Sequence, residues 1–118
     1  MNNCEQLKVI MQGDSYYLPI TLTNNGEPID VSEFKIIEFN IGNLTKYWKP
    51  DGSGEVRYNK TLKNFELLLT QEETFAFRGK QKVVIRVQDY NNYVAGREYG
   101  YIEILYNSQG GLLQWLTI

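Results

Sequence analysis

The chain has no histidine and a single cysteine in 118 residues. Without histidine, the commonest general base and proton shuttle is missing, and Ser-His-Asp and Cys-His nucleophiles go with it. Cys4 alone forms no internal disulfide, and a structural zinc site, which takes about four Cys or His ligands, has no donor set here. No apolar run approaches the roughly 20 residues that span a bilayer as a helix, so no membrane span is expected. Cationic charge is not in excess either. Twelve Lys and Arg stand against 14 Asp and Glu, a net charge of −2, so the basic footprint of a nucleic-acid binder is absent. Met1-Asn2-Asn3-Cys4-Glu5 lacks the charged and apolar regions of a secretory leader, which leads to the expectation of a chain made in a cytoplasm.

Other chemistries are sparse. Asp14, Asp30, Asp51 and Asp89 stand apart and do not reproduce the dense spacing of a calcium loop. Asp51-Gly52-Ser53-Gly54 lacks the Gly-Lys-Ser/Thr ending of a phosphate loop and reads as a turn. Glu72, Glu73 and Asp14 supply carboxylates, but a glycosidase needs two of them held across a cleft of several hundred Å³. No cofactor, no metal and no enzymatic activity are expected.

What is present is β-sheet patterning. Hydrophobic residues make up 42% of the chain and nine of the aromatics are Tyr, a composition that favours pleated, half-buried surfaces. A chain of this size buries roughly two-thirds of its unfolded surface, which is enough for one core. Side chains two apart in a strand share a face, and apolar residues recur at that period. Leu7, Val9 and Met11 form one such set, with Ile10 out of phase; Tyr16, Leu18, Ile20 and Leu22 form the next. Pro19 lacks an N–H and places its segment at a sheet edge or bulge. Ile37, Phe39 and Ile41 follow, then Val83, Ile85 and Val87, then Ile102 and Ile104 with Tyr101 and Glu103 outward.

Asn24-Asn25-Gly26-Glu27-Pro28, Gly42-Asn43, Asp51-Gly52-Ser53-Gly54 and residues 89–92 are turns. Thr70-Gln71-Glu72-Glu73 matches a capping box, followed by a single helical turn that Arg78-Gly79-Lys80 ends. Short strands at spacings near 8–12 residues predict an all-β fold, an antiparallel β-sandwich of about seven to nine strands. The sandwich is expected to take residues 1–109. Residues 110–118 form an apolar tail with no side-chain charge, and an exposed strand of that kind must be covered.

The order of these pieces resembles the small immunoglobulin-like domain at the N-terminus of phage baseplate upper proteins and related phage and prophage structural proteins. Gln12-Gly13-Asp14-Ser15-Tyr16 is similar to the "GD" that opens the first paired strand of that group. The run from Leu18-Pro19-Ile20 through Asn25-Gly26-Glu27-Pro28-Ile29-Asp30-Val31 resembles its strand, "NG-x-P" turn and hydrophobic-Asp-hydrophobic return. Leu69-Thr70-Gln71-Glu72-Glu73-Thr74 resembles its "LT-x-E-x-T" turn. Residues 79–87 and Tyr99-Gly100-Tyr101-Ile102-Glu103-Ile104 resemble its last two strands. Together these span about residues 9–105. The resemblance implies an immunoglobulin-like sandwich, a structural role without catalytic residues, and a place in a virion assembled in a bacterial host. The long fibre region of a baseplate upper protein is missing, so a stand-alone baseplate, tail or capsid accessory is expected.

The expected partners are other virion proteins or a second copy of the chain. The expected contact residues are Leu112, Leu113, Trp115 and Leu116 in the tail and Tyr47 and Trp48 in the middle of the chain. Strand addition to a neighbour would bury the tail's apolar side chains. The alternative is a carbohydrate-binding module, in which Tyr47, Trp48 and Tyr58 form an exposed aromatic platform for a glycan. That reading requires Trp48 to face solvent, whereas packing would place it between the sheets. Tyr90, Tyr93, Tyr99 and Tyr101 near one sheet end pose the same choice.

Overall fold

A computed structural model of the protein describes residues 6–106. Its elements are β1 (Gln6–Met11), β2 (Tyr16–Ile20), β3 (Thr23–Asn24), β4 (Glu27–Pro28), a 3-10 turn (Val31–Glu33), β5 (Phe34–Ile41), β6 (Leu44–Trp48), β7 (Arg57–Asn59), β8 (Asn64–Leu69), α1 (Gln71–Phe75), β9 (Gly79–Asp89) and β10 (Val94–Leu105). Eight of the strands build two facing sheets, in the orders β1-β10-β9-β5-β6 and β2-β8-β7. The short β3 and β4 form a separate hairpin at the Asn25-Gly26 turn, where both residues take positive φ as a tight two-residue hairpin demands. The fold is an all-β sandwich. β6 extends the larger sheet beyond β5.

Alternation decides which face each strand buries. Leu18 and Ile20 of β2, with Phe65, Leu67 and Leu69 of β8, meet Ile37, Phe39 and Ile41 of β5, Val83 and Ile85 of β9, and Ile102 and Ile104 of β10. Phe65 is the aromatic hub, with ring centroids 5.4 Å from Phe39, 5.8 Å from Trp48 and 4.9 Å from Tyr58. Offset and edge-on rings at these distances are favoured over face-to-face stacks. No disulfide crosses this core, so aromatic packing joins the two layers where antibody domains use a Cys pair.

Two expectations need correction. The sandwich is not wholly antiparallel, because β1 pairs with β10 in parallel. That pairing also inverts the expected phase of β1: Ile10 lies opposite Ile104 and is buried, while Val9 and Met11 face solvent. An edge strand has one covered side, so the register of its neighbour, and not the number of apolar residues on a face, selects the inward side chain. Pro19 does sit on an edge strand, since β2 borders the smaller sheet.

The β6 edge and the end of β1 carry capping bonds. Beyond β6, Glu55 accepts the Tyr47 N–H at 3.0 Å and the Val56 N–H donates to the Tyr47 carbonyl at 3.0 Å. A side chain at Gly54 would collide with that same carbonyl. At the end of β1, the Asp14 carboxylate accepts the Met11 N–H at 2.9 Å and the Asp14 N–H donates back to the Met11 carbonyl. These devices satisfy backbone groups that would otherwise invite another strand.

Candidate functional site

Register brings several connections to one end of the sandwich. Phe34 pairs with Asp89, so the segment before β5 meets the β9–β10 turn. Trp48 pairs with Ile37, so residues 49–56 start beside the same end. A depression lined by Lys35, Ile36, Lys49, Pro50, Asp51 and Gln88 joins them. The β7–β8 turn also closes here, and its Leu62 is exposed.

Three loops at this end are built on the same local device. The Asp30 carboxylate accepts from the Ser32 N–H at 3.0 Å and the Ser32 hydroxyl at 2.7 Å. The Asp51 carboxylate accepts from the Ser53 N–H at 2.9 Å and its hydroxyl at 2.7 Å. The Asp89 carboxylate accepts from the Asn91 N–H at 2.8 Å and the Tyr93 N–H at 3.1 Å. Short acidic side chains bond their own backbone a few residues on, which fixes a turn without outside help. The serine hydroxyl and N–H hold the carboxyls of Asp30 and Asp51 below the ordinary carboxylate range.

The β9–β10 turn carries the most exposed aromatics. Tyr90 is 61% and Tyr93 75% exposed, and Val94 beside them is also exposed. Lys35 Nζ donates to Asn92 Oδ1 at 3.0 Å, tying the turn to β5. Tyr, Asn and an adjacent aliphatic residue on a fixed turn make a contact surface of rigid amphipathic rings with adaptable polar groups between them.

The outer face of the larger sheet runs down from this end. Glu38 accepts from Arg86 Nε at 2.6 Å and Asn40 Nδ2 at 2.8 Å, and the Tyr47 hydroxyl donates to it at 3.4 Å. The Arg86 bond, then the Asn40 bond, holds the Glu38 carboxyl below its usual range. The network spans β5, β6 and β9 and presents a satisfied, polar surface.

The expected contact residues separate. Tyr47 and Trp48 are neighbours in a strand and point to opposite faces. Tyr47 joins the outer network, whereas Trp48 is 8% exposed and meets Phe65 edge-on. Trp48 is therefore corrected from a contact residue to a core residue, because its register opposite Ile37 turns it inward. Tyr58 packs on Phe65 and forms no platform with Tyr47. Leu112, Leu113, Trp115 and Leu116 lie outside the described residues. Of the remaining tyrosines, Tyr99 donates to the Thr21 carbonyl at 3.1 Å and Tyr101 to Gln6 Oε1 at 3.2 Å, while Tyr90 and Tyr93 stay at the surface.

The turns at 51–54 and 89–92 were expected from the sequence, but the part that Asp30, Asp51 and Asp89 play in closing their loops was not. Their signal was the Asp-x-Ser spacing at 30–32 and 51–53 and Asp-x-Asn at 89–91, which marks Asx turns. No protein-family model matches the chain, and no curated protein matches it in sequence.

Proposed function

We propose that the chain is a non-enzymatic structural or assembly component of a phage or prophage virion that works through protein–protein contact. The contact surface is the loop end, led by Tyr90, Tyr93 and Val94. The observation that carries this reading is the exposure of two tyrosines on a turn whose backbone is already fixed by Asp89 and Lys35. Pre-organised aromatic anchors lose little entropy on docking, and such residues dominate interface energetics.

The motifs that resemble the phage group support a scaffold role. The "NG-x-P" run is the β3–β4 hairpin, and the "LT-x-E-x-T" run is the capped turn before β9. Both position backbone, the first within the connection between β2 and β5 and the second at the α1 end. The carbohydrate-binding alternative has less support, because Trp48 is packed in the core.

Sedimentation velocity of the chain, alone and mixed with the virion proteins encoded beside its gene, tests the reading. The expected result is a symmetric oligomer or a co-sedimenting complex that the double substitution Tyr90→Ser/Tyr93→Ser weakens without altering circular dichroism. Deleting residues 110–118 is expected to weaken assembly in the same way. A monomer that co-sediments with none of these proteins removes the reading.

A further inference from the structure

The inner face of the larger sheet is not fully covered by the smaller one. β2 ends at Ile20, and residues 21–29 fold over the remainder. A cleft of about 280 Å³ opens there. Its walls are Leu22, Ile29, Phe34, Val87 and Ala95, with Ile85 at the floor. The Tyr99 hydroxyl, bonded to the Thr21 carbonyl, ties β10 to the covering segment beside it.

Arg97 lines the same cleft. It pairs with Ile85 and Ala95 pairs with Val87, so both lie on the core-facing side of β10. The register shift between Glu98 and Gly100 puts them there, because the extra residue reverses the alternation set by Ile102 and Ile104. Arg97 is exposed, so its guanidinium stands in water at the open mouth of the cleft, within reach of a carboxylate from outside. Among the described residues Arg97 makes no ion pair, and it is the one charged side chain of the cleft lining. Ala95 keeps the space beside it open.

We propose that this cleft receives a segment of a partner protein that presents one large apolar side chain next to a carboxylate. The apolar group fills the space under residues 21–29, and the carboxylate meets the fork of Arg97, which suits bidentate pairing. The charge complementarity selects an acidic partner segment over a neutral or basic one. The inference rests on the protein-contact reading only in taking the ligand to be a protein segment; the cleft and the tyrosine turn share the loop end but use different residues.

The test is a titration of the full chain, followed by amide NMR, with three blocked peptides: acetyl-Thr-Phe-Glu-Thr-amide and its Gln and Lys counterparts. The Glu peptide is expected to shift the amides of residues 21–29 and 95–99 and to bind at least about fivefold tighter than the Gln peptide, the order of an accessible charge pair. Arg97→Glu is expected to invert the ranking, so that the Lys peptide binds best. Ala95→Phe is expected to abolish binding of all three by filling the space. 3-Phenylpropanoate serves as the small-acid control: if it binds and no peptide does, the cleft takes free acids and the partner-segment proposal fails. Binding of none of these probes, as for a cleft already filled by another part of the chain, also overturns it. An oligomer that survives Arg97→Glu and Ala95→Phe unchanged keeps the assembly reading but removes the cleft from it. A monomer that still ranks the peptides as expected does the reverse.

Discussion

The two ends of the sandwich are held by different kinds of bond. At the α1 end, contacts join residues far apart in the chain. Thr74 is fully buried; its hydroxyl accepts the Gly13 N–H at 3.0 Å and donates to the Asp14 carbonyl at 2.7 Å. Gln12 Nε2 donates to the Phe77 carbonyl at 2.6 Å. Lys46 points inward from β6, and its ammonium donates to the Leu68 carbonyl at 2.6 Å and to Glu73 at 2.8 Å. At the loop end, three turns close on their own aspartates two to four residues away and the β7–β8 turn closes on Asn59, with Lys35–Asn92 a longer link at the β9–β10 turn. Long-range bonds make one end a fastener whose parts fail together. Mostly local bonds make the other a set of turns whose surface residues can change at little cost to the fold.

The comparison breaks first, and hardest, at Thr74. Thr74→Val keeps the shape but leaves the part-buried Gly13 N–H and Asp14 carbonyl without that partner and puts a methyl in their place. A loss of about 2–3 kcal/mol in urea unfolding is expected. A change below about 0.5 kcal/mol would show that the fastener carries no stability. Lys46→Met comes next, at about 2 kcal/mol, since it strands Glu73 and the Leu68 carbonyl. Its pH signature is more specific. Burial raises the Glu73 carboxyl, but the bonds from Lys46 and the Thr70 N–H outweigh it and hold the group below its ordinary value of 4.5. With the folded value below the unfolded one, this contribution is complete above pH 4.5 and drains away as pH falls through the folded value. Lys46→Met is therefore expected to flatten the loss of stability between neutral and acid pH. An unchanged slope would show that the pair is electrostatically silent.

Asp89→Ala is the loop-end counterpart. It removes two local bonds to exposed backbone, for which water substitutes, so a loss of no more than about 1 kcal/mol is expected. Amide exchange should accelerate at residues 90–93 and nowhere near α1. Faster exchange spreading to residues 70–77 would sink the claim that the turns are held mostly by local bonds.

Much of the scaffold was legible because period-two alternation is a direct consequence of burial on one face. Leu18 and Ile20, Ile37 to Ile41, and Ile102 with Ile104 all lie where their spacing placed them. The capping box at Thr70 was equally readable, being a local hydrogen-bond pattern. What failed were the places where a neighbour strand decides. The parallel pairing of β1 turned Ile10 inward, and the irregularity at Tyr99 set the exposed Arg97 at the mouth of the cleft, and neither leaves a mark in the local sequence. Lys46 was illegible for a related reason: a lysine at a core-facing position reads as a surface residue until its partners across the sandwich are known. At the candidate site, the exposed tyrosines were visible as residue types. Sorting Tyr90 and Tyr93 from the buried Trp48 required the register.

The smallest expected effect on stability is the sharpest on function. Tyr90 and Tyr93 are largely in water, so Tyr90→Ser/Tyr93→Ser removes little buried surface, and the unfolding free energy should stay within about 0.5 kcal/mol of the parent. If the turn is an interface, the same pair should cost binding far more, since anchors of this kind are worth about 2 kcal/mol or more each, roughly a thirtyfold loss in affinity. The ratio of the two effects is what distinguishes the ends of the molecule. At Thr74, stability should fall, and binding should follow only through unfolding. At Tyr90 and Tyr93, binding should fall alone. Equal losses of stability and of binding at both ends, measured on one preparation by urea unfolding and sedimentation, would mean that the loop end is part of the framework and that recognition lies elsewhere on the protein.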